Sequence, residues 1–66
     1  MRNTIRVERA KLGISQTELA EKVSVSKQTI HSIETGRFVP STVIALKIAR
    51  FFKVSIETIF ELEEGD

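Results

Sequence analysis

The chain has no cysteine, tryptophan or tyrosine, and only one proline, one histidine and three glycines in 66 residues. Without cysteine there is no disulfide and no thiolate metal site, and a lone His31 cannot build a metal site either. No metal or cofactor is therefore expected. Gly13, Gly36 and Gly65 lie too far apart for a glycine loop that cradles phosphate. No apolar run approaches the roughly 18 residues of a membrane span, and Met1-Arg2-Asn3 lacks the apolar block of a secretory signal. A cytoplasmic protein with no membrane partner is expected. Internal repeats, low-complexity tracts and linkers are also missing.

Sixty-six residues make one domain, residues 1–66, close to the lower limit at which a core offsets conformational entropy without extra fastening. With disulfides and metals excluded, association with a second chain remains. An apolar content of 41% suffices for a core and a patch, so a homodimer is expected. The formal net charge of +1 hides an asymmetry: all ten Lys and Arg lie in residues 1–56 with four Glu, and residues 57–66 carry five acids and no base. A basic body suits a surface facing phosphate, with the acidic tail kept away from it; an ordinary mixed surface is the plain alternative.

The most informative stretch is Ile14 to Gly36. Ser15 and Glu18 have the spacing of a capping box, so a helix begins near Gln16, with Leu19, Ala20 and Val23 on one side and Glu18, Glu21 and Lys22 on the other. Val23-Ser24-Val25 interrupts it. Ser26 is a second N-cap, and the run to Thr35 turns Ile30 and Ile33 inward and Lys27, Gln28, His31 and Ser32 outward before Gly36 ends the helix. Two short helices with so tight a join have helix-turn-helix geometry, and Ala20 is small enough for close crossing. Before them, Asn3 or Thr4 can cap a first helix ending before Gly13, with Ile5 and Leu12 inward and Arg2, Arg6 and Lys11 outward. After the loop Thr35 to Pro40, Ser41 caps a fourth helix from about Thr42 to Phe52. Its Ile44, Ala45, Ile48, Ala49 and Phe52 should close the core over the first and third helices. Ser55 caps a last short helix with Ile56, Ile59 and Phe60.

Leu12-Gly13-Ile14-Ser15-Gln16, Glu18-Leu19-Ala20, Val25-Ser26, Gln28-Thr29-Ile30, Ile33-Glu34-Thr35-Gly36 and Pro40-Ser41 stand in one register that resembles the Cro and cI repressor (Xre) type of helix-turn-helix. With the tail IALKIARFFKVSIETIF the chain is similar to short stand-alone members of that family, such as the cytolysin repressor. The resemblance implies an all-α, five-helix, lambda-repressor-like domain with the helix-turn-helix at the second and third helices. In short members the chain ends can pair as a small β addition, here Met1–Asn3 against Phe60–Glu63; a fraying helix end is the other reading of that segment. The resemblance also implies an ion pair between Arg9 and Glu34, against an alternative in which Arg9 contacts phosphate. The chain departs from the family in three places. Ser24 stands where Gly is common between the two helices, Lys53 replaces a frequent Gly after the fourth, and Glu8 takes a place often apolar.

The major groove of B-DNA admits one helix and offers distinguishable base edges. Gln28, Lys27 and Ser32 supply the matching chemistries for adenine, guanine and either base, near the start of the helix that would read them. Backbone contacts are expected from Gln16, where a free helix N-terminus favours phosphate, and from Ser26, Thr29 and Arg37, with a methyl contact as the alternative for Thr29. His31 belongs to the edge of that footprint. One good bidentate base contact discriminates by about 1–3 kcal/mol, whereas specific binding exceeds non-specific by roughly 4–10 kcal/mol. Doubling the contacts across a two-fold axis closes that gap. Phe51, Ile56, Ile59, Phe60 and Leu62 form the expected dimer patch.

The reading is a sequence-specific double-stranded DNA-binding regulator, a repressor at a palindromic operator, with no small-molecule effector. An antitoxin-like or adaptor module that binds protein through the C-terminal apolar patch is the alternative. An enzyme is not expected: Ser26, His31 and Glu34 lie on an open surface, and a triad needs a sheltered site for the reacting atom.

Overall fold

A computed structural model describes all of residues 1–66. The chain runs β1 (Arg2–Asn3), α1 (Ile5–Leu12), α2 (Gln16–Val23), α3 (Lys27–Glu34), α4 (Thr42–Phe52), α5 (Ile56–Ile59), β2 (Phe60–Glu61). This is an all-α, five-helix arrangement closed by one two-stranded antiparallel pair, in which Arg2 faces Glu61 and Asn3 faces Phe60. The tail is thus extended at Phe60–Glu61 and turns again at Glu64–Gly65, and Phe60 belongs to the strand, not to the last helix.

Four helices start at serines. Ser15, Ser26, Ser41 and Ser55 each accept the backbone N–H three residues on, at 3.0, 3.1, 3.2 and 3.2 Å. Each hydroxyl satisfies one of the donors a helix start leaves free. At Ser15 the box is complete, because Glu18 Oε1 also accepts the Ser15 N–H. The first helix is different: Thr4 holds the cap position without a side-chain bond. Asn3 performs that task, its Oδ1 accepting from Ile5 N–H while its Nδ2 donates to the Ile33 carbonyl at 2.9 Å.

Helix ends follow one pattern. Gly13, Ser24 and Lys53 adopt left-handed conformations (φ 67°, 60° and 58°) after α1, α2 and α4. The next residues, Ile14, Val25 and Val54, return their N–H groups to the carbonyls of Arg9, Ala20 and Ala49 and pack partly buried against the core. This is the Schellman ending with its apolar contact. Two of the three left-handed positions carry a side chain, where that conformation costs about 1 kcal/mol or more.

The core comprises Ile5, Leu19, Ala20, Val23, Ile30, Ile33, Ala45, Ile48, Ala49, Phe52, Ile59 and Phe60. α2 and α3 pack most extensively on each other, and α4 lies chiefly against α2 and α5. The fourth helix therefore covers α2 more than the expected pair α1 and α3. Leu12, expected inward, is 56% exposed. It shares the stripe of Ile5, but α1 stops there and the chain reverses at Gly13, so Ile14 takes the core position instead. α1 consequently contributes a single buried apolar side chain, Ile5. No helix is long and apolar enough to cross a membrane.

Candidate nucleic-acid interface

The inner face of α3 is fixed by Ile30 and Ile33 and, at its end, by Glu34. Arg9 Nε donates to Glu34 Oε2 at 2.7 Å and its terminal nitrogen to Oε1 at 3.0 Å, a two-pronged bond, while a third N–H reaches the Ile14 carbonyl at 3.0 Å. Both side chains are largely covered. The Glu34 carboxylate raises the Arg9 pKa further above its ordinary value, more than burial lowers it, so Arg9 is a permanent cation, half-buried against the end of α3. Gln16 Nε2 approaches both Glu34 Oε1 and His31 Nδ1 at 3.3 Å. Gln16, at the start of α2, is thereby tied to the side of α3 and is half-buried.

The outer face is open. Lys27 and Gln28 are exposed, as are Ser26, His31 and Arg37, and Thr29 and Ser32 are half-buried. Gln28, Thr29 and Ser32 share one shallow depression with Phe38, and Lys27 lies outside it. The Ser26 hydroxyl is occupied by the Thr29 N–H and, at 2.8 Å, by the Thr29 hydroxyl. It contacts neither His31 nor Glu34, so the three residues of the discarded triad are not joined. The first turn of α3 has no acidic residue, unlike that of α2. Ion pairs engage the Met1 amine, Arg2, Arg9 and Lys11, and neither Lys27 nor Arg37 takes part in one. With Lys27 unpaired and no acid beside it, the start of α3 favours an anion.

The end of α3 departs from the pattern of α1, α2 and α4. Gly36 (φ 78°) makes the left-handed turn, and Arg37 returns its N–H to the Ser32 carbonyl at 2.9 Å. Arg37 follows the turn where Ile14, Val25 and Val54 follow theirs, and it points to solvent. Phe38 is the residue sequence reasoning missed. Its signal was an aromatic side chain in a polar loop, and it is 46% exposed beside α3.

Two expectations need correction. Ile59 and Phe60, assigned to the dimer patch, are 1% and 8% exposed because α5 and β2 fold them into the chain's own core. Phe51 and Ile56 are half-buried, and Leu62 is 76% exposed. Val39, Val43 and Leu46 are exposed apolar residues that the periodicity of α4 did not single out. The acidic tail, in turn, is not held away from α3. Strand pairing brings Glu63 into one depression with Met1, Glu34, Thr35 and Gly36, and the Met1 amine pairs with Glu63 and Asp66 at 3.0 and 3.1 Å. Arg2 pairs with Glu61.

A capped pair α2–α3 with a bare outer side defines the class: a helix-turn-helix domain. The helix-turn-helix family model matches residues 5–59. An uncharacterised HTH-type transcriptional regulator of Bacillus subtilis, YgzD, is 45% identical over 97% of each chain. One from Methanocaldococcus jannaschii is 46% identical over the whole of both chains. Another, from Methanothermobacter thermautotrophicus, is 49% identical over 97% of this chain and 94% of its own. The chain belongs to the helix-turn-helix family, in its Xre (Cro/cI) form, a family of transcriptional regulators without a catalytic role. These relatives lend no support to the narrower likeness to the cytolysin repressor.

Proposed function

We propose that the chain is a DNA-binding transcriptional regulator that acts as a repressor, placing α3 in the major groove of a palindromic operator as a homodimer in the cytoplasm. One observation carries the reading: the outer side of α3 is open, with Lys27, Gln28 and His31 exposed, while its inner side is fixed by core contacts and the Arg9–Glu34 pair. A helix anchored on one face and uncovered on the other presents its side chains at fixed spacing to a rigid partner.

Lys27, Gln28 and Ser32 contact bases. Arg37 contacts phosphate, as does Gln16, whose amide leaves its 3.3 Å contacts with Glu34 and His31. Ser26 and Thr29 hydroxyls hold each other and join the backbone set only from the rim. A second copy covers Phe51, Ile56 and Leu62, and it places the two half-sites about 34 Å apart. No small-molecule effector is needed, since occupancy of a promoter is repression in itself.

Selection of bound fragments from genomic DNA at two salt concentrations tests this. Enrichment of a palindrome, with affinity falling steeply as salt rises, supports it. Uniform retention of all fragments contradicts it. The mass of the protein alone in solution tests the dimer: twice the chain mass supports it, and a monomer that assembles only with another protein favours the adaptor alternative.

A further inference from the structure

The depression beside α3 combines the Gln28 amide and the Thr29 and Ser32 side chains with one aromatic wall. Phe38 supplies an aromatic wall, and its position relative to α3 is fixed because the N–H groups of Arg37 and Phe38 both donate to the Ser32 carbonyl, at 2.9 and 3.1 Å. Thr29 shares its hydroxyl with Ser26 at 2.8 Å, and its methyl group is the apolar part it can offer a ligand. Gln28 contributes an amide at the same depression, and unpaired Arg37 bears positive charge just past the end of α3, a match for a phosphate of the duplex.

Among base edges in the major groove the one apolar group is the thymine C5-methyl, and the edge an amide matches with two bonds is adenine. We propose that Phe38 and Thr29 form a thymine-methyl subsite, filled by a thymine next to the adenine that Gln28 reads. This makes Phe38, a loop residue outside the helix-turn-helix, a determinant of operator sequence. The inference rests on α3 entering the major groove, as proposed above.

The test removes only the methyl. In the duplex enriched by selection, each thymine is replaced singly by deoxyuridine, and affinity is measured by fluorescence anisotropy for the unchanged chain and for Phe38→Ala. Helical content by circular dichroism checks that the variant is folded, which the half-exposed position of Phe38 favours. One thymine per half-site should lose about four-fold in affinity, the change that corresponds to ~0.8 kcal/mol for one buried carbon. That loss should vanish in Phe38→Ala. A duplex bound specifically, with no deoxyuridine penalty or with the same penalty in Phe38→Ala, overturns the subsite and leaves the groove reading standing. No enriched duplex at all overturns both.

Discussion

Helices α2 and α3 are each eight residues long, each starts at a serine that accepts a backbone N–H, and each ends in a left-handed turn, at Ser24 directly after α2 and at Gly36 one residue beyond Thr35. Their local construction is the same, and their surroundings differ. α2 buries Leu19, Ala20 and Val23, closes its own N-terminus with Glu18, and sends Val25 back to the core. α3 buries two isoleucines, has no acid in its first turn, and sends Arg37 outward. The two helices differ in the residue after the turn, which is apolar and packed on the core after α2 and cationic and exposed after α3.

The contrast between the two faces of α3 is the easiest to break. Ile33→Ala removes a fully covered side chain and should cost about 2–5 kcal/mol, enough to populate unfolded chain in a domain this small. Urea unfolding followed by circular dichroism measures it. A cost no larger than that of an exposed substitution, within ~0.5 kcal/mol, would remove the distinction between the faces.

Glu34→Ala comes next, at about 3 kcal/mol, because it leaves the Arg9 guanidinium covered and uncompensated. Combining Arg9→Met with Glu34→Leu should recover most of that loss, since no charge is then left inside. If the double variant is as unstable as the single one, the pair does more than cancel its own desolvation.

Exchanging the helix ends gives smaller effects of opposite sign. Ser24→Gly relieves a side chain at φ 60° and should stabilise by ~1 kcal/mol, whereas Gly36→Ala imposes one at φ 78° and should destabilise by a similar amount. Thermal denaturation of both variants reads the difference, and a less stable Ser24→Gly would show that Ser24 is not strained.

The smallest effect is at the terminal clasp. The Glu63 backbone N–H, then the Met1 ammonium, hold the Asp66 carboxyl below its ordinary value. Its contribution is therefore complete above the usual carboxylate range and fades as pH falls through the lowered value. Glu63 and then Asp66 raise the Met1 amine above its ordinary 8.0. That part is complete below pH 8.0 and fades as pH climbs through the raised value. Both groups are exposed, so the change should be confined to the chain ends. The amide signal of Glu63 in an NMR titration should shift at both extremes while that of Ile33 stays put.

Much of the fold is legible because it is local. Four serines at helix starts and the 3.6-residue stripes of α2, α3 and α4 mark those helices to within a residue. What escaped depends on contacts between distant parts. Leu12 carries the right periodicity, yet it lies 56% exposed where the chain reverses at Gly13. Ile59 and Phe60 read as surplus because the pairing of the chain ends, which draws them inward, cannot be counted from spacing. Phe38 escaped because its place beside Gln28 is set by the loop's return to the Ser32 carbonyl, a bond that the sequence pattern does not reveal.

The outward side of α3 as a reader of bases is tested most directly by Gln28→Ala and Arg37→Ala, each measured on the selected duplex and on a scrambled one at the same salt. The account predicts that Gln28→Ala weakens the selected duplex by about 1–3 kcal/mol and leaves the scrambled one unchanged, while Arg37→Ala weakens both alike. Equal losses on both duplexes for both variants would contradict it.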